Sequence, residues 1–144
     1  MDITIDHRLS RAPRDVFSFV DDLSRYPAWM GLVHAVTEET TGADSVRAWS
    51  VELRAKVGPF ARSKRLRMVR TVRDEPTHVR FERVELDGGA HGTWVLDVRL
   101  DGVDATHLTM SLHYGGRLWS AVVDRVLRDE VERSKTRLSE LVGD

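Results

Sequence analysis

The chain contains no cysteine, which excludes disulfides, thiolate nucleophiles and thiolate metal sites. It has no apolar run near the roughly 18 residues that a membrane span needs. Its first residues, Met1-Asp2-Ile3-Thr4-Ile5, are acidic and alternating, unlike a signal peptide. A cytoplasmic protein without a transmembrane segment is therefore expected. The formal net charge is −1, so the whole molecule has no electrostatic pull toward nucleic acid or membrane. No H-x-x-x-H or H-E-x-x-H spacing occurs among the histidines, so no metal site is expected. Serine-nucleophile and phosphate-loop motifs are also missing, and Gly88-Gly89 with Gly92 reads as a turn. No cofactor is expected.

What is present is an ordinary globular composition, 41% hydrophobic and 31% charged, over 144 residues, enough for one domain with a real core spanning residues 1–144. The charge is unevenly spread. Asp44 to Arg73 holds nine Lys/Arg against two acids, while the segments on either side are net acidic. Arg62, Lys64, Arg65 and Arg67 are the densest part. Few aromatics are interleaved there, which argues against nucleic-acid binding and favours a solvated face or contact with an acidic subunit surface. A homodimer stays open on this reading.

The longest pattern is the last, Arg117 to Val142. Trp119, Val123, Val126, Leu127, Val131, Leu138 and Leu141 fall in one sector of a helical wheel, with most charged residues outside it. Glu130 and Ser134 are polar residues inside the sector. Val131, Leu138 and Leu141 are expected on a sheet. Trp119, Val123, Val126, Leu127 and Glu130 are the candidates to face a cavity.

Upstream, Ile3, Ile5, His7 and Leu9 alternate as a half-buried strand. Pro13 suits the first turn of a helix, followed by Val16, Phe17, Val20 and Leu23 at helical spacing. Asp21-Asp22-Leu23-Ser24 opens a second short helix that Pro27 ends or bends. Six strand patterns follow: Leu32 to Thr40, Ser45 to Val57, Arg62 to Asp74, His78 to Leu86, Gly92 to Leu100 and Thr106 to Tyr114. Imperfect alternation in His78 to Leu86 suggests a bulge or a sheet edge. Val72 and Arg70 share the face of Leu66 and Met68. The short connections imply an antiparallel meander, and its apolar face needs a cover that only the final helix is large enough to supply. The expected fold is α+β: a seven-stranded curved antiparallel sheet wrapped around a long C-terminal helix, with two short helices after the first strand.

The stretch Ala12-Pro13-Arg14-Asp15-Val16-Phe17 through Asp21 to Tyr26-Pro27-Ala28-Trp29 carries a family resemblance, supported by Asp101-Gly102 before Thr106-His107-Leu108-Thr109 and by Ser134 to Leu138. On these residues the chain resembles the helix-grip superfamily of START-like proteins, the group of polyketide cyclases/dehydrases and lipid-transport proteins. The resemblance covers the whole chain. It implies a pocket for apolar or aromatic small molecules, with Tyr26 and Trp29 by a lid, and implies catalysis in only some members.

Several residues are candidates for that pocket. Trp49, Trp94, Tyr114 and Trp119 are expected to face inward, as pocket lining or as plain core. Arg70 and Arg47 share the inward parity and suit bidentate recognition of an anion, unless a register slip turns them out. Glu130 is either a pocket acid or a residue at the wet edge of the helical stripe. Three functions fit: a binding or transport protein for an apolar or aromatic molecule (a lipid, quinone or polyketide-like compound); a metal-free cyclase, aromatase or dehydratase using Glu130, Tyr114 or Arg70 for proton handling; or a protein-interaction module. The first is favoured because no acid–base pair stands out.

Overall fold

The computed structural model describes residues 2–39, 46–115 and 121–144, apart from the side chains of residues 57 and 121–123. β1 (Asp2–Leu9) buries Ile3, Ile5 and Leu9 on one face and leaves the intervening residues wetter, as a two-residue period requires. Pro13 opens α1 (Pro13–Val20), and no side chain caps it. Its Val16, Phe17 and Val20 are buried. Asp22 then accepts a hydrogen bond from the Ser24 N–H at 2.9 Å and starts a 3-10 helix, Leu23–Ala28, with Pro27 inside it.

The sheet follows as β2 (Val33–Glu38), β3 (Ala48–Val57), β4 (Phe60–Asp74), β5 (His78–Arg83), β6 (Trp94–Asp101) and β7 (Thr106–Tyr114). All neighbours are antiparallel, in the order β1-β7-β6-β5-β4-β3-β2. The meander thus runs from β2 to β7, and β1 closes against β7. The last element, α2 (Ala121–Val142), packs Leu127, Val131, Leu138 and Val142 into the same core as the inner faces of the strands. This is the expected helix-grip arrangement.

Three local expectations are corrected. The β5 region is not an edge, and the irregularity lies opposite it, in β4. Arg70 pairs with Phe81 and Val72 with Arg80, so Thr71 is an extra residue on β4. The bulge reverses parity, so Arg73, opposite Val79, takes the inner face instead of Val72. On α2, Leu141 is 42% exposed and its neighbour Val142 is buried, so the stripe drifts by one residue at its end. Ser134, polar within the stripe, is fully buried, and its hydroxyl donates to the Val131 carbonyl one turn earlier.

One end of the molecule is tied shut. Arg11 Nη1 donates to the Val142 carbonyl at 3.2 Å and the Thr106 hydroxyl to the Arg11 carbonyl at 2.7 Å. Ser10 bonds the Asp144 carboxylate through its N–H and hydroxyl. At the other end, β3 and β4 overhang their neighbours: they pair with each other from Ala48↔Val69 out to Val57↔Phe60, whereas β2 reaches only Leu53 and β5 only Met68.

Candidate ligand-binding site

The inner face of the sheet encloses an apolar space under α2. Its walls are strand residues including Leu53, Leu66, Met68, Leu96 and Met110, with Met30 and Leu32 from the segment before β2 and Val131 from α2. The free volume is about 40 Å³, room for about three water-sized spheres and far short of a drug-sized ligand.

A second, larger space lies outside that wall. A cleft of about 640 Å³ runs between α2 (Val126, Asp129, Glu130, Arg133) and the overhanging part of β3 (Arg54, Ala55, Lys56), with Gly31 and His34 at its base. Its existence follows from strand lengths. β2 begins at Val33, opposite Leu53, and the Arg54 N–H still donates to the Leu32 carbonyl at 2.9 Å; among the described residues, strand pairing with that edge of β3 ends there. Chain neighbours divide between the two spaces: Met30 and Gly31, Val33 and His34, Leu53 and Arg54, Glu130 and Val131. One layer of residues therefore separates the wet cleft from the apolar interior.

Of the candidates read from sequence, Trp94 lines the apolar space, and Val126 and Glu130 line the cleft. Glu130 forms an ion pair with Arg133, and its carboxylate lies where a side chain on Gly31 would stand: a Cβ there would meet Glu130 Oε2 and Arg137 Nη1 at 2.6 Å. It is a partnered group at the wet edge of the helix. Leu127 is buried in the core and lines neither space. Val131, read as a sheet-packing residue, lines the apolar wall from α2. Trp119 lies outside the described residues, as does the side chain of Val123.

Trp49 and Tyr114 are fully buried and line neither space. Trp49 packs edge-on to Phe81 at 5.6 Å, and the guanidinium groups of Arg47 and Arg70 lie 5.0 and 5.8 Å from its ring. Arg70 itself donates to the Asp21 carbonyl at 2.9 Å, and Arg73 reaches the Asp21 carboxylate at 3.1 Å. Arg47 bonds Glu38 at 2.7 Å and Asp22 at 3.4 Å. These arginines hold the junction between α1 and the 3-10 helix to the sheet. Burial, with Arg47 and Arg73 close by, pulls the pKa of Arg70 below its ordinary value.

Tyr114 stacks on Trp94 at 5.2 Å, and its hydroxyl donates to Asp124 in the first turn of α2. Burial and that bond raise the phenol well above its ordinary pKa. The same bond, with one from Arg128 Nε at 2.8 Å, holds the Asp124 carboxyl below its own. Tyr26 and Trp29 are buried as well. The Tyr26 hydroxyl donates to the Val20 carbonyl at 2.7 Å and the Trp29 indole N–H to the Phe19 carbonyl at 3.1 Å, so both side chains rivet the 3-10 segment to the end of α1. Neither lines the cleft or the apolar space.

Sequence reasoning missed the cleft residues Gly31, His34, Arg54 and Lys56. The readable signal was the length of the two patterns Ser45 to Val57 and Arg62 to Asp74, which exceed their neighbours and so must overhang. Among the described residues, no three His, Asp or Glu side chains gather as a metal ion would require, and no helix is long and apolar enough to cross a membrane.

A profile of the family described as polyketide cyclase/dehydrase and lipid transport matches residues 2–143. A search of curated proteins finds no match. Solved structures with the same fold include the Zhui aromatase/cyclase from Streptomyces sp. R1128, at 9% identity and TM-score 0.74 over 99% of this chain and 93% of that one. TTHA0849 from Thermus thermophilus superposes with TM-score 0.76 at 14% identity, over 99% and 97%. Human StAR-related lipid transfer protein 5 does so with TM-score 0.74 at 13% identity, over 99% and 75%. At these identities the likeness is one of fold.

Proposed function

The chain belongs to the polyketide cyclase/dehydrase and lipid-transport family, and on that premise we propose that it binds and carries an apolar or aromatic small molecule. The observation that carries this reading is the pairing of a wholly apolar interior with an open cleft one residue layer away. An entering ligand would pass between α2 and the free edge of β3 and part the apolar wall at Leu32, Leu53 and Val131. Burial would supply the affinity, at about 25 cal/mol per Å² of apolar surface removed from water. The interior is nearly filled, so binding would enlarge it, drawing on separation of α2 from the sheet.

The carrier reading is favoured over catalysis by what the proton-handling candidates do. Tyr114 is bonded to Asp124, Arg70 to Asp21 and Glu130 to Arg133, in three different neighbourhoods. A general acid or base must have its proton or lone pair available to the substrate. The test is native mass spectrometry of freshly purified protein, followed by titration with 1-anilinonaphthalene-8-sulfonate and long-chain fatty acid. A bound apolar species, or saturable probe binding weakened by Leu53→Trp, supports the proposal. An empty protein that binds neither probe overturns it.

A further inference from the structure

The overhanging β3–β4 hairpin has a chemistry that the pocket does not explain. From Arg54 to Arg65 it carries five Lys/Arg and no acid. At its tip, Gly58 adopts φ +62°, and Phe60 is 71% exposed. An exposed phenyl ring at the end of a two-stranded ribbon is costly in water. The cations are placed around it by the register. Phe60, Arg62 and Lys64 sit opposite Val57, Ala55 and Leu53 and share the inner face, while Arg54, Lys56 and Arg65 lie on the outer face. At about 3.3 Å per residue, Lys56 and Arg62 lie within about 7 Å of the Val57–Phe60 end of the ladder, and Arg54 within about 10 Å. Among the described residues Arg54, Lys56, Arg62 and Arg65 form no ion pair, although basic residues elsewhere on β4 and β5 are paired with carboxylates.

We propose that this hairpin is a docking element for an anionic lipid bilayer, with Phe60 entering the interface and cations on both faces of the ribbon meeting lipid phosphates. A ribbon entering tip-first presents both faces to the headgroups, which explains why the cations need not share one side. Nucleic acid would instead favour a one-sided basic surface with several stacking rings. Arg54 and Lys56 are also part of the cleft rim, so docking would bring the cleft mouth to the membrane. Vesicle binding does not rest on the carrier reading: it would persist if the interior proved empty.

The experiment is vesicle flotation of the intact protein with phosphatidylcholine alone and with about one-third phosphatidylglycerol, at low and high salt. Binding to the anionic vesicles alone, weakened by salt, is expected. Arg62→Gln/Arg65→Gln should weaken it about twenty-five-fold, at about fivefold for each charge. Phe60→Ala should weaken it about tenfold, and Phe60→Trp should retain it. Val103→Ala is the control, because Val103 is 84% exposed in the β6–β7 turn at the other end of the sheet, between Asp101 and Asp104. Circular dichroism establishes that each variant is folded. No binding to anionic vesicles, equal binding to neutral ones, or folded Phe60 and Arg62/Arg65 variants that bind like the native chain would overturn the proposal. So would binding of a single-stranded DNA oligonucleotide by a protein that ignores vesicles.

Discussion

Tyr114 donates its hydroxyl to Asp124, and this bond joins the last strand to the first turn of the long helix. The phenol is buried against Trp94, and Arg128 completes the chain by donating to both Asp124 and the Asp2 carbonyl. Tyr114→Phe should cost about 2 kcal/mol, the usual worth of a hydrogen bond to a charged acceptor. Asp124 is held below the ordinary carboxylate value, so its contribution is present above the unfolded value of about 3.9 and fades as pH falls through the lower folded one. Tyr114 is raised, so its contribution is present below about 10 and is lost as pH rises toward the folded value. Urea unfolding of the native chain and the variant should therefore differ most between those limits, and the curves should converge in acid.

His7 gives a second pH dependence, in a milder range. Its Nε2 meets the Ser139 hydroxyl at 2.6 Å between β1 and α2. Burial, and then the charge of Lys135, lower its pKa. A histidine held neutral contributes above its unfolded value of about 6.5, and the contribution is lost as pH falls through the folded one. The stability advantage of the native chain over His7→Gln should shrink between about pH 7.5 and pH 5.5. A difference that grows on acidification would contradict this.

Two glycines should respond to alanine to very different degrees. Gly102 has φ +126°, and an added Cβ would stand 2.0 Å from the Ala105 carbonyl oxygen. Backbone cannot yield there, so Gly102→Ala should cost about 3 kcal/mol or more. At Gly31 the clash is with the ends of Glu130 and Arg137, which can swing away. Gly31→Ala should cost under about 1 kcal/mol. Thermal melts of the two variants decide this.

Arg70 and Arg73 both grip Asp21, but only Arg70 is deeply placed, with 14% of its side chain exposed against 40% for Arg73. Arg70→Ala should cost about 1–2 kcal/mol by leaving the Asp21 carbonyl without its donor. Arg73→Ala should cost under about 1 kcal/mol, as exposed ion pairs do. Arg70→Lys should not rescue, because an ammonium lacks the planar fork that reaches Asp21 while lying against Trp49. Urea midpoints of the three variants check this order.

The apolar space should reveal itself by tolerance. Val51 lines it, whereas Val98 is fully buried away from it. One added methylene at Val51→Ile should cost under about 1 kcal/mol, and at Val98→Ile about 1–3 kcal/mol through overpacking. Thermal unfolding of the pair measures the difference.

The fold was legible because strand alternation and the helical stripe both depend on burial. Trp49, Val51 and Leu53 alternate in the sequence and are all buried. The site was less legible, because parity tells which face a residue takes but not how far along the face the cavity lies. Trp49, Tyr114 and Trp94 all point inward, yet only Trp94 reaches the apolar space. Glu130 falls in the apolar sector of the wheel, but a helical sector is broad enough to include its wet edge. Alternation puts Arg70 on the correct face and Val72 on the wrong one, because nothing in the pattern announces the extra Thr71 between them. The carboxylate that Arg70 and Arg73 share comes from some fifty positions earlier, at Asp21, and no local pattern could pair them.

That extra residue also divides β4 into two independently phased halves. The arginines that clasp Asp21 straddle the bulge, whereas the basic hairpin lies wholly before it. Because side chains alternate with a period of two, a two-residue insertion or deletion in both arms of the hairpin would move its tip outward or inward without rotating Arg70 or Arg73 off the inner face. The molecule can therefore alter how far its basic ribbon reaches while keeping the grip that seats its first helix.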